Sequence, residues 1–438
     1  MPVRELDPAP RSYAASVSLM RRANRGPSVA PARTTVAEIE AWLLSDAARA
    51  DDLLVLFESL AWRLVAAGVP LDRASVHVGT LHPQVAGFSW NWERADGLCD
   101  EVKVAETTLA TDAYRRNPIF RVIEYGEVFR GDTRDPDVVN RYPLMADLAR
   151  RGIVEYIIMP LRAGLAYHNA VSIATRQAGG FSDADRANID RVLKLFGLHV
   201  ERHIMLRIAA NVLDTYLGEA AGKQVLRGSI KRGAGEAIRA IIWASDLRGF
   251  TDLSDRLAGP DIVALINAYF ERLAGAVMAE SGEVLKFIGD GLLAVFPYAR
   301  FNSEQVAAEA ALTAAQRALR AVEDLNQVVP PDLARIEGWR PLRTGIALHE
   351  GEVFFGNVGA PERLDFTVIG TAVNTASRVE TLTKTLGRPI LITEPVARRL
   401  GAPLDDLGAH ALRGLATPLT IFSPSSSMRS AQDRVPHG

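Results

Sequence analysis

Two aspartates in the C-terminal half of the chain, Asp246 and Asp290, each follow a short apolar run. The run 240–244 is typical of a buried strand, and the runs 284–288 and 292–296 flank a Gly-Asp-Gly turn like the strands of a hairpin. If these units are neighbours in one sheet, the two carboxylates converge at one end of it. Paired carboxylates without a His or Cys cluster suit a hard cation such as Mg²⁺ or Mn²⁺, held together with substrate phosphates. An aspartate after a strand is more often a helix cap or a turn residue, so the pair gains weight only from neighbouring motifs.

The loop after Asp246 carries Gly249, Phe250 and Thr251 and is predicted to open a helix. Gly249 allows close backbone approach, and the free N–H groups at a helix start favour a phosphate. A single glycine in a strand-to-helix turn is a weak indication by itself.

Two further sets of polar residues gain meaning only from their context. Lys286 alternates with apolar neighbours along its predicted strand, where a solvated lysine is the commoner case. Asn374 and Arg378 lie four residues apart on a predicted helix that Thr371 is expected to cap and Gly387 to end, so they share a face. Taken alone, they would be interpreted as a surface polar pair.

Four ordered motifs resemble the class III nucleotide cyclase catalytic domain, the fold shared by adenylate and guanylate cyclases. They are D-L-R-G-F-T (246–251), L-K-F-I-G-D (285–290), H-E-G-E-V-F-F-G-N-V-G (349–359) and D-F-T-V-I-G-T-A-V-N-T-A-S-R (365–378). The resemblance runs over roughly residues 236–422, less than half of the chain. It implies a ferredoxin-like α+β fold and a phosphorus–oxygen lyase that converts ATP to 3′,5′-cyclic AMP and pyrophosphate.

The resemblance also implies roles for the residues singled out above. Of two Mg²⁺ (or Mn²⁺) ions in each site, one would be held by Asp246 and Asp290 and the second would bind the triphosphate. Lys286 and Asp365 would read the adenine ring. Sites of this family lie at a dimer interface, so a homodimer is predicted. The helix residues Asn374 and Arg378 of the other protomer would then orient the ribose and stabilise charge on the α-phosphate.

Two alternatives stay open at this point. A guanylate cyclase would share the metal and transition-state residues, but typically carries Glu and a small residue such as Cys at the places of Lys286 and Asp365. A non-catalytic nucleotide-binding sensor module usually lacks a metal aspartate or the Asn/Arg pair, and both are present here. The family's basic residue near the C-terminal L-(K/R)-G segment aligns only loosely with Arg413.

Length and composition restrict the classes of protein. The 438 residues suggest at least two domains, and 48% hydrophobic with 23% charged residues is ordinary for a soluble globular protein. A net charge of −2 gives no basic field for nucleic acid. The sequence lacks an uninterrupted apolar run long enough to span a membrane, and the lone Cys99 excludes a disulfide framework. A cytoplasmic protein is therefore predicted.

The N-terminal part of the chain is predicted to hold an arm and a sensory domain. Residues 1–34 are rich in Pro and Arg without periodicity and are predicted to be a disordered arm. Helices followed by strands over 35–182 predict an α+β domain. Its segments 152–161 and 179–185 resemble a GAF domain, which implies a small ligand of unidentified chemistry. The aromatic residues that could line such a pocket, or merely pack, are Trp90, Trp92, Tyr114, Phe120 and Tyr167.

Residues 183–235 are predicted to connect the two domains. A proline-free stretch over 183–217 carries apolar residues every three or four positions, which favours a parallel two-helix connector between protomers; a single helix packed on its own domain is the alternative. The glycine-rich passage 225–233 resembles the transducing segment of sensor-linked cyclases. Residues 423–438 are predicted to be a disordered tail.

Overall fold

The computed structural model of the protein describes residues 6–80, 85–161, 169–336 and 340–425. The chain divides into two compact units, Pro2–Thr215 and Tyr216–Gly438. Tyr167 and the predicted tail from residue 426 onward lie outside the described residues.

The N-terminal unit is a mixed α/β domain. Its strands are β1 (Val17–Ala23), β2 (Arg73–Gly79), β3 (Val85–Glu93), β4 (Cys99–Ala105), β5 (Phe129–Asp132), β6 (Glu155–Leu161) and β7 (Asn169–Thr175). Its helices are α1 (Val36–Leu44), α2 (Leu53–Ala66), α3 (Asp112–Arg115), α4 (Pro118–Tyr125), α5 (Pro136–Arg141), α6 (Pro143–Arg150) and α7 (Asp183–Leu217). The strands form an antiparallel sheet in the order β1-β4-β3-β2-β7-β6-β5. Helices α1, α2 and α7 pack on one face, and α4 and α6 on the other.

The prediction of a disordered arm over residues 1–34 is wrong for residues 6–34. Strand β1 pairs with β4, and the Arg22 guanidinium lies 2.6 Å from the Asp100 carboxylate, which is fully buried. Tyr13 donates a hydrogen bond to the same carboxylate at 2.8 Å, and Arg11 lies 3.3 Å from it. A buried carboxylate needs cations and donors around it, so Asp100 holds the arm on the sheet.

Helix α7 has the predicted bounds, and Ser182 caps its start by accepting a hydrogen bond from the Asp185 N–H at 3.1 Å. Its apolar stripe is nevertheless buried in the core of its own domain from Ile189 through Ile204. The structure therefore favours the single packed helix over the two-helix connector for this part of α7.

Two of the aromatic residues considered for a ligand pocket, Trp92 and Tyr114, are buried. Trp92 packs edge-on against Trp62, with 5.1 Å between the ring centroids.

The C-terminal unit is built around a second sheet. Its strands are β8 (Gly235–Leu247), β9 (Glu283–Ile288), β10 (Gly291–Pro297), β11 (Thr344–Ala360), β12 (Arg363–Ile369), β13 (Ile390–Thr393), β14 (Leu404–His410) and β15 (Leu419–Pro424). Its helices are α8 (Glu219–Leu226), α9 (Phe250–Ser254), α10 (Gly259–Ala279), α11 (Glu304–Gln327), α12 (Pro331–Ala334), α13 (Thr371–Leu386) and α14 (Glu394–Ala397). The sheet order is β14-β15-β13-β11-β8-β10-β9, with β12 paired to β11.

The centre of this sheet has the predicted ferredoxin-like topology. The chain runs β8-α10-β9-β10-α11-β11, and β11-β8-β10-β9 lie side by side in antiparallel pairs. Helices α10 and α11 cover one face, whereas α8 and α13 cover the other. The apolar run 240–244 forms the middle of this core because it belongs to a central strand buried on both faces.

Three predictions for this unit need correction or comment. The tail does not begin at residue 423, because Ser423 is buried in β15. Helix α13 begins at Thr371 with Gly370, not Thr371, at the capping position. Helix α10 is long and apolar enough to cross a membrane by length and composition, although core residues such as Tyr269 and Leu273 lie on it. The absence of a membrane span thus stays a prediction.

Candidate active site

The paired aspartates converge at one end of the central strands. Asp246 is the penultimate residue of β8 and pairs in register with Gly291, the residue that follows Asp290 in the β9–β10 turn. Burial, and next the charge of Asp246, raise the pKa of the Asp290 carboxyl. The Thr344 hydroxyl donates a hydrogen bond to the backbone carbonyl of Asp246 at 3.1 Å, which fixes the end of β8.

A cation already contacts this carboxylate pair. The Lys384 ammonium, near the C-terminal end of α13, lies 3.2 Å from the Asp246 carboxylate. The two side chains are 53% and 27% exposed, so the contact is open to exchange with an ion from solvent.

A buried ion pair lies beside the carboxylates. Arg248 lies 3.2 Å from Glu380 on α13, and their side chains are 15% and 9% exposed. Burial raises the pKa of Glu380 to about 7; Arg248 lowers it and the charge of Asp246 raises it again. Gly345 pairs in register with Asp246, and a Cβ there would collide with the Arg248 guanidinium. The absence of a side chain at Gly345 thus leaves the space that the Arg248 guanidinium occupies.

The Lys286 and Asp365 side chains meet as an ion pair. Lys286 projects from β9 and Asp365 from β12, strands that are far apart in sequence. The side chains are 43% and 49% exposed, which leaves both available to a ligand. The contact places a donor beside an acceptor in the same unit as the carboxylate pair.

The loop after Asp246 has the geometry that its sequence predicts. Gly249 adopts a left-handed conformation with φ 74°, and Phe250 and Thr251 begin the short helix α9. Arg248 donates its backbone N–H to the Arg343 carbonyl at 2.7 Å, which anchors the start of the loop.

Asn374 and Arg378 lie on α13, and no hydrogen bond or ion pair links either to Asp246 or Asp290 within the described part of this one chain. Asn374 is exposed and Arg378 half-buried. The Arg378 guanidinium packs against the Leu412-Arg413-Gly414 segment: a Cβ at Gly414 would lie 3.3 Å from its Nη2. The structure thus brings Arg378 to the loosely aligned basic segment, where Arg413 is exposed.

The residues present fit a divalent cation. The donors of Asp246 and Asp290 are carboxylate oxygens, the ligands that Mg²⁺ and Mn²⁺ prefer. Burial is the larger cause of the raised pKa of Asp290, but the charge of Asp246 adds to it, and Lys384 lies beside Asp246 as a positive partner. Among the described residues no group of three or more His, Cys, Asp or Glu side chains forms a complete metal cage, so phosphates and waters would supply the other ligands.

Two residues of the third motif support the fold. His349 is hydrogen-bonded through Nδ1 to the Thr393 hydroxyl at 3.0 Å, and burial lowers its pKa to about 4. Asn357 is buried and donates through Nδ2 to the Ser229 carbonyl at 2.6 Å. Asn357 therefore ties the glycine-rich segment before β8 to β11.

Sequence reasoning missed Lys384, Glu380 and Arg248. The four-residue spacing of Glu380 and Lys384 places both on one face of α13, and Asn374 and Arg378 continue that helix toward its start. This spacing was readable from the sequence. The approach of α13 to β8 was not, because it depends on tertiary packing.

Comparisons with known proteins found similar sequences over the C-terminal unit. Residues 238–421 match the family model of the adenylate and guanylate cyclase catalytic domain. An adenylate cyclase of Anabaena cylindrica is 35% identical over 175 residues, which are 40% of this chain and 33% of that protein. Adenylate cyclase 1 of Rhizobium meliloti (strain 1021) is 29% identical over 190 residues, 42% of this chain and 27% of that protein. This chain therefore spans a third or less of the length of these two relatives.

Solved structures that match part of this chain include a bacterial light-regulated adenylyl cyclase, with 26% identity, a TM-score of 0.43, and coverage of 54% of this chain and 65% of that one. The adenylyl cyclase CyaB from P. aeruginosa has 27% identity, a TM-score of 0.39, and coverage of 43% of this chain and 94% of that one. On the match to the family model, residues 238–421 form a catalytic domain of the adenylate and guanylate cyclase family.

Proposed function

We propose that this protein is an adenylate cyclase, a lyase that converts ATP to 3′,5′-cyclic AMP and pyrophosphate. The observation that carries the proposal is the contact between Lys286 and Asp365 in the domain that also brings Asp246 and Asp290 together. One pair can recognise the base and the other can hold metal-bound phosphates.

The base preference follows from hydrogen-bond chemistry. A Lys286 ammonium donates to the N1 acceptor of adenine, and an Asp365 carboxylate accepts from its 6-amino group. Guanine presents the opposite groups at both positions, so Lys286 would face a second donor and Asp365 would face a second acceptor. A guanylate cyclase stays the second candidate only because every metal and phosphate group proposed here would serve GTP equally.

Two Mg²⁺ or Mn²⁺ ions belong to the proposal, held by Asp246 and Asp290; when bound, they supply charge neutralisation at the phosphates and a lowered pKa of the ribose 3′-hydroxyl. The backbone N–H groups at the start of α9, after Gly249, would bind phosphate oxygens beside them, with Phe250 and Thr251 closing the loop. Position and charge, rather than a protein nucleophile, then supply most of the rate.

A homodimer is proposed because one chain does not bring all the groups together. Lys384 reaches Asp246 from the C-terminal end of α13, whereas Asn374 lies about 15 Å earlier along the helix axis. Asn374 and Arg378 would therefore serve a nucleotide bound to the partner's carboxylates, orienting the ribose and stabilising charge at the α-phosphate. Two chains would form two complete sites.

The N-terminal unit is proposed to be a GAF-like regulatory domain in a cytoplasmic protein. Its antiparallel sheet is covered by helices on both faces, and the segments 152–161 and 179–185 that carry the resemblance include β6 and the start of α7. Cys99 is a buried free thiol, which suits a reducing compartment.

Product formation by the full-length protein tests the proposal. Purified protein is incubated with ATP or GTP and with Mg²⁺ or Mn²⁺, alongside Asp290→Ala and the control Asp324→Ala, which alters an exposed residue of α11. We expect the protein to make cyclic AMP from ATP. Asp290→Ala should lower the rate of product formation by at least about 100-fold, the effect expected when a group that stabilises the transition state is removed. Asp324→Ala should change the rate little. If the protein prefers GTP, it is a guanylate cyclase and the proposed base preference is wrong. If no cyclic nucleotide forms from either nucleotide with either metal, the proposed cyclase activity is contradicted.

A further inference from the structure

The N-terminal unit carries a cleft of about 460 Å³ whose walls are rich in arginine. The lining residues come from α3 and the turn after it, from α4 and its C-terminal end, and from the junction of α5 with α6. Four of them are arginines, Arg115, Arg116, Arg121 and Arg141, whereas Glu127 is the one carboxylate among the described lining residues. Four guanidinium groups against one carboxylate leave an excess of positive charge, although the net charge of the chain is −2.

Only part of this charge is neutralised within the unit. Arg121 donates from Nε to the Glu127 carboxylate at 2.8 Å, so these two groups offset each other. Arg115 lies 3.9 Å from Asp112, which does not line the cleft. Their side chains are 63% and 91% exposed, and an ion pair this open to water stabilises little. Arg115 therefore remains available to a ligand.

Two guanidinium groups have no carboxylate beside them. Arg116 and Arg141 are exposed, and neither forms an ion pair with any carboxylate of the described residues. The Arg141 guanidinium lies over the ring of the buried Tyr142, 5.4 Å from its centroid, which holds the group at the cleft wall without neutralising it. A concave surface lined by charges of one sign concentrates ions of the opposite sign. The cleft is therefore suited to an anion.

The hydrogen-bonding groups of the wall favour the same kind of ligand. A guanidinium group has five N–H donors and no acceptor. Asn117 caps α4 by accepting the Ile119 N–H at 3.0 Å through Oδ1, which leaves its NH₂ group to donate. The charged acceptor of the wall, Glu127, is already used by Arg121. A ligand that complements this wall must be rich in acceptors as well as negatively charged.

We propose that this cleft binds a small molecule that carries two or more adjacent phosphate groups. One guanidinium group can bind two phosphate oxygens at once. A phosphate monoester carries a charge of about −1.5 to −2 at neutral pH, so two adjacent phosphates match the excess of positive charge, whereas a single phosphodiester does not. The volume lies within the roughly 300–1,000 Å³ of ligand pockets. A ligand that contacts both Arg116 and Arg141 joins the start of α4 to the end of α5.

Isothermal titration calorimetry of the full-length protein with pyrophosphate in metal-free buffer tests the proposal. Without a divalent cation, the carboxylates of Asp246 and Asp290 repel phosphate, so the cyclase domain does not contribute. Citrate, which has a similar charge on planar carboxylates, and 3′,5′-cyclic AMP, which has a single charge, are the comparison probes. Arg116→Gln and Arg141→Gln each remove an exposed guanidinium group that makes no ion pair, so the fold should persist. The matched control Arg150→Gln removes the same charge from a side chain of α6 that is 70% exposed and lies outside the cleft.

We expect saturable one-to-one binding of pyrophosphate, with citrate and cyclic AMP weaker by at least about 5-fold. Arg116→Gln and Arg141→Gln should each weaken pyrophosphate binding by about 5- to 10-fold, the effect of one hydrogen bond to a charged group. Arg150→Gln should leave the affinity within about 2-fold, because solvent and salt screen a charge outside the cleft. Absence of saturable pyrophosphate binding, equal binding of citrate, or equal effects of the three variants would overturn the proposal.

Adjacent phosphates occur both on soluble molecules and on lipid headgroups, and two further measurements distinguish these sources. Displacement of pyrophosphate by ADP would assign the cleft to a soluble nucleotide. Sedimentation of the protein with phosphatidylcholine vesicles that contain phosphatidylinositol 4,5-bisphosphate, lost in Arg116→Gln, would assign it to a lipid headgroup. If neither occurs while pyrophosphate binds as expected, the ligand is an inorganic oligophosphate.

Discussion

Replacing Glu380 by Gln should change how the stability of the C-terminal unit depends on pH. Burial raises the pKa of Glu380 to about 7, from an ordinary value of 4.5. Between these pH values the folded state holds a proton that the unfolded state has released. The contribution of Glu380 to the free energy of unfolding therefore falls as pH rises from 4.5 to 7, by about 3 kcal/mol for a shift of this size. Above pH 7 both states are ionised and the loss is complete.

The Gln variant keeps the shape of the side chain but has no proton to lose. Urea unfolding at pH 5 and pH 8, followed by circular dichroism in the presence of EDTA, measures the difference. Wild type should lose about 2.5 kcal/mol more than Glu380→Gln between the two pH values. EDTA is needed because a cation at Asp246 would remove one of the charges that raise the pKa of Glu380.

The matched control is Glu394→Gln, which alters a partly exposed glutamate paired with Arg398 in the same unit. Its pH profile should run parallel to that of wild type. If the profile of Glu380→Gln also runs parallel to wild type, Glu380 is ionised in the folded state at pH 5 and the interpretation of the Arg248–Glu380 pair is wrong. A profile that crosses in the opposite sense would mean that Arg248 stabilises the carboxylate more than burial destabilises it.

Three further changes give measurable outcomes. Lys384→Met should bind Mn²⁺ about 2- to 5-fold more tightly in electron paramagnetic resonance titrations without nucleotide, because the metal no longer has to displace the Lys384 ammonium from its partly exposed ion pair with Asp246. The control Lys194→Met breaks an exposed ion pair in the other unit and should leave the affinity for Mn²⁺ unchanged. His349→Gln should flatten the loss of stability on acidification from pH 6.5 to pH 4, since burial lowers the pKa of His349 to about 4 and protonation then favours the unfolded state by up to about 3 kcal/mol. An equal change in melting temperature between pH 7 and pH 5 for wild type and His349→Gln would contradict this. Asn357→Ala should speed proteolysis within residues 225–235, because the hydrogen bond that holds the Ser229 carbonyl is lost, and an unchanged cleavage rate would refute the anchoring role.

The elements that position the carboxylate pair were predictable because their signals are local. A buried apolar strand, a Gly-Asp-Gly turn and alternating residues on either side of it determine β8, β9 and β10, and the register of Gly291 against Asp246 follows from the pairing of those strands. The bounds of α7 were predictable for the same reason, since an uninterrupted 3.6-residue period defines a helix. Its burial was not, because a periodic stripe has the same appearance whether its partner is a second chain or its own domain.

The contacts that escaped prediction all join groups that are distant in sequence. The stretch from Arg11 to Arg22 has the composition of a disordered arm, and contacts across a strand pairing, among them those of Arg11 and Arg22 with the fully buried Asp100, give its arginines an ordered position. Lys384 likewise has a role only because α13 packs against β8 and brings its ammonium to Asp246. In both cases tertiary packing brings a cation to a carboxylate on a strand of the sheet, and for Asp100 the demand for a cation comes from a burial that composition and periodicity do not encode. A basic residue in an irregular stretch should therefore be judged against the acidic residues on the buried strands of its domain before it is assigned to disorder.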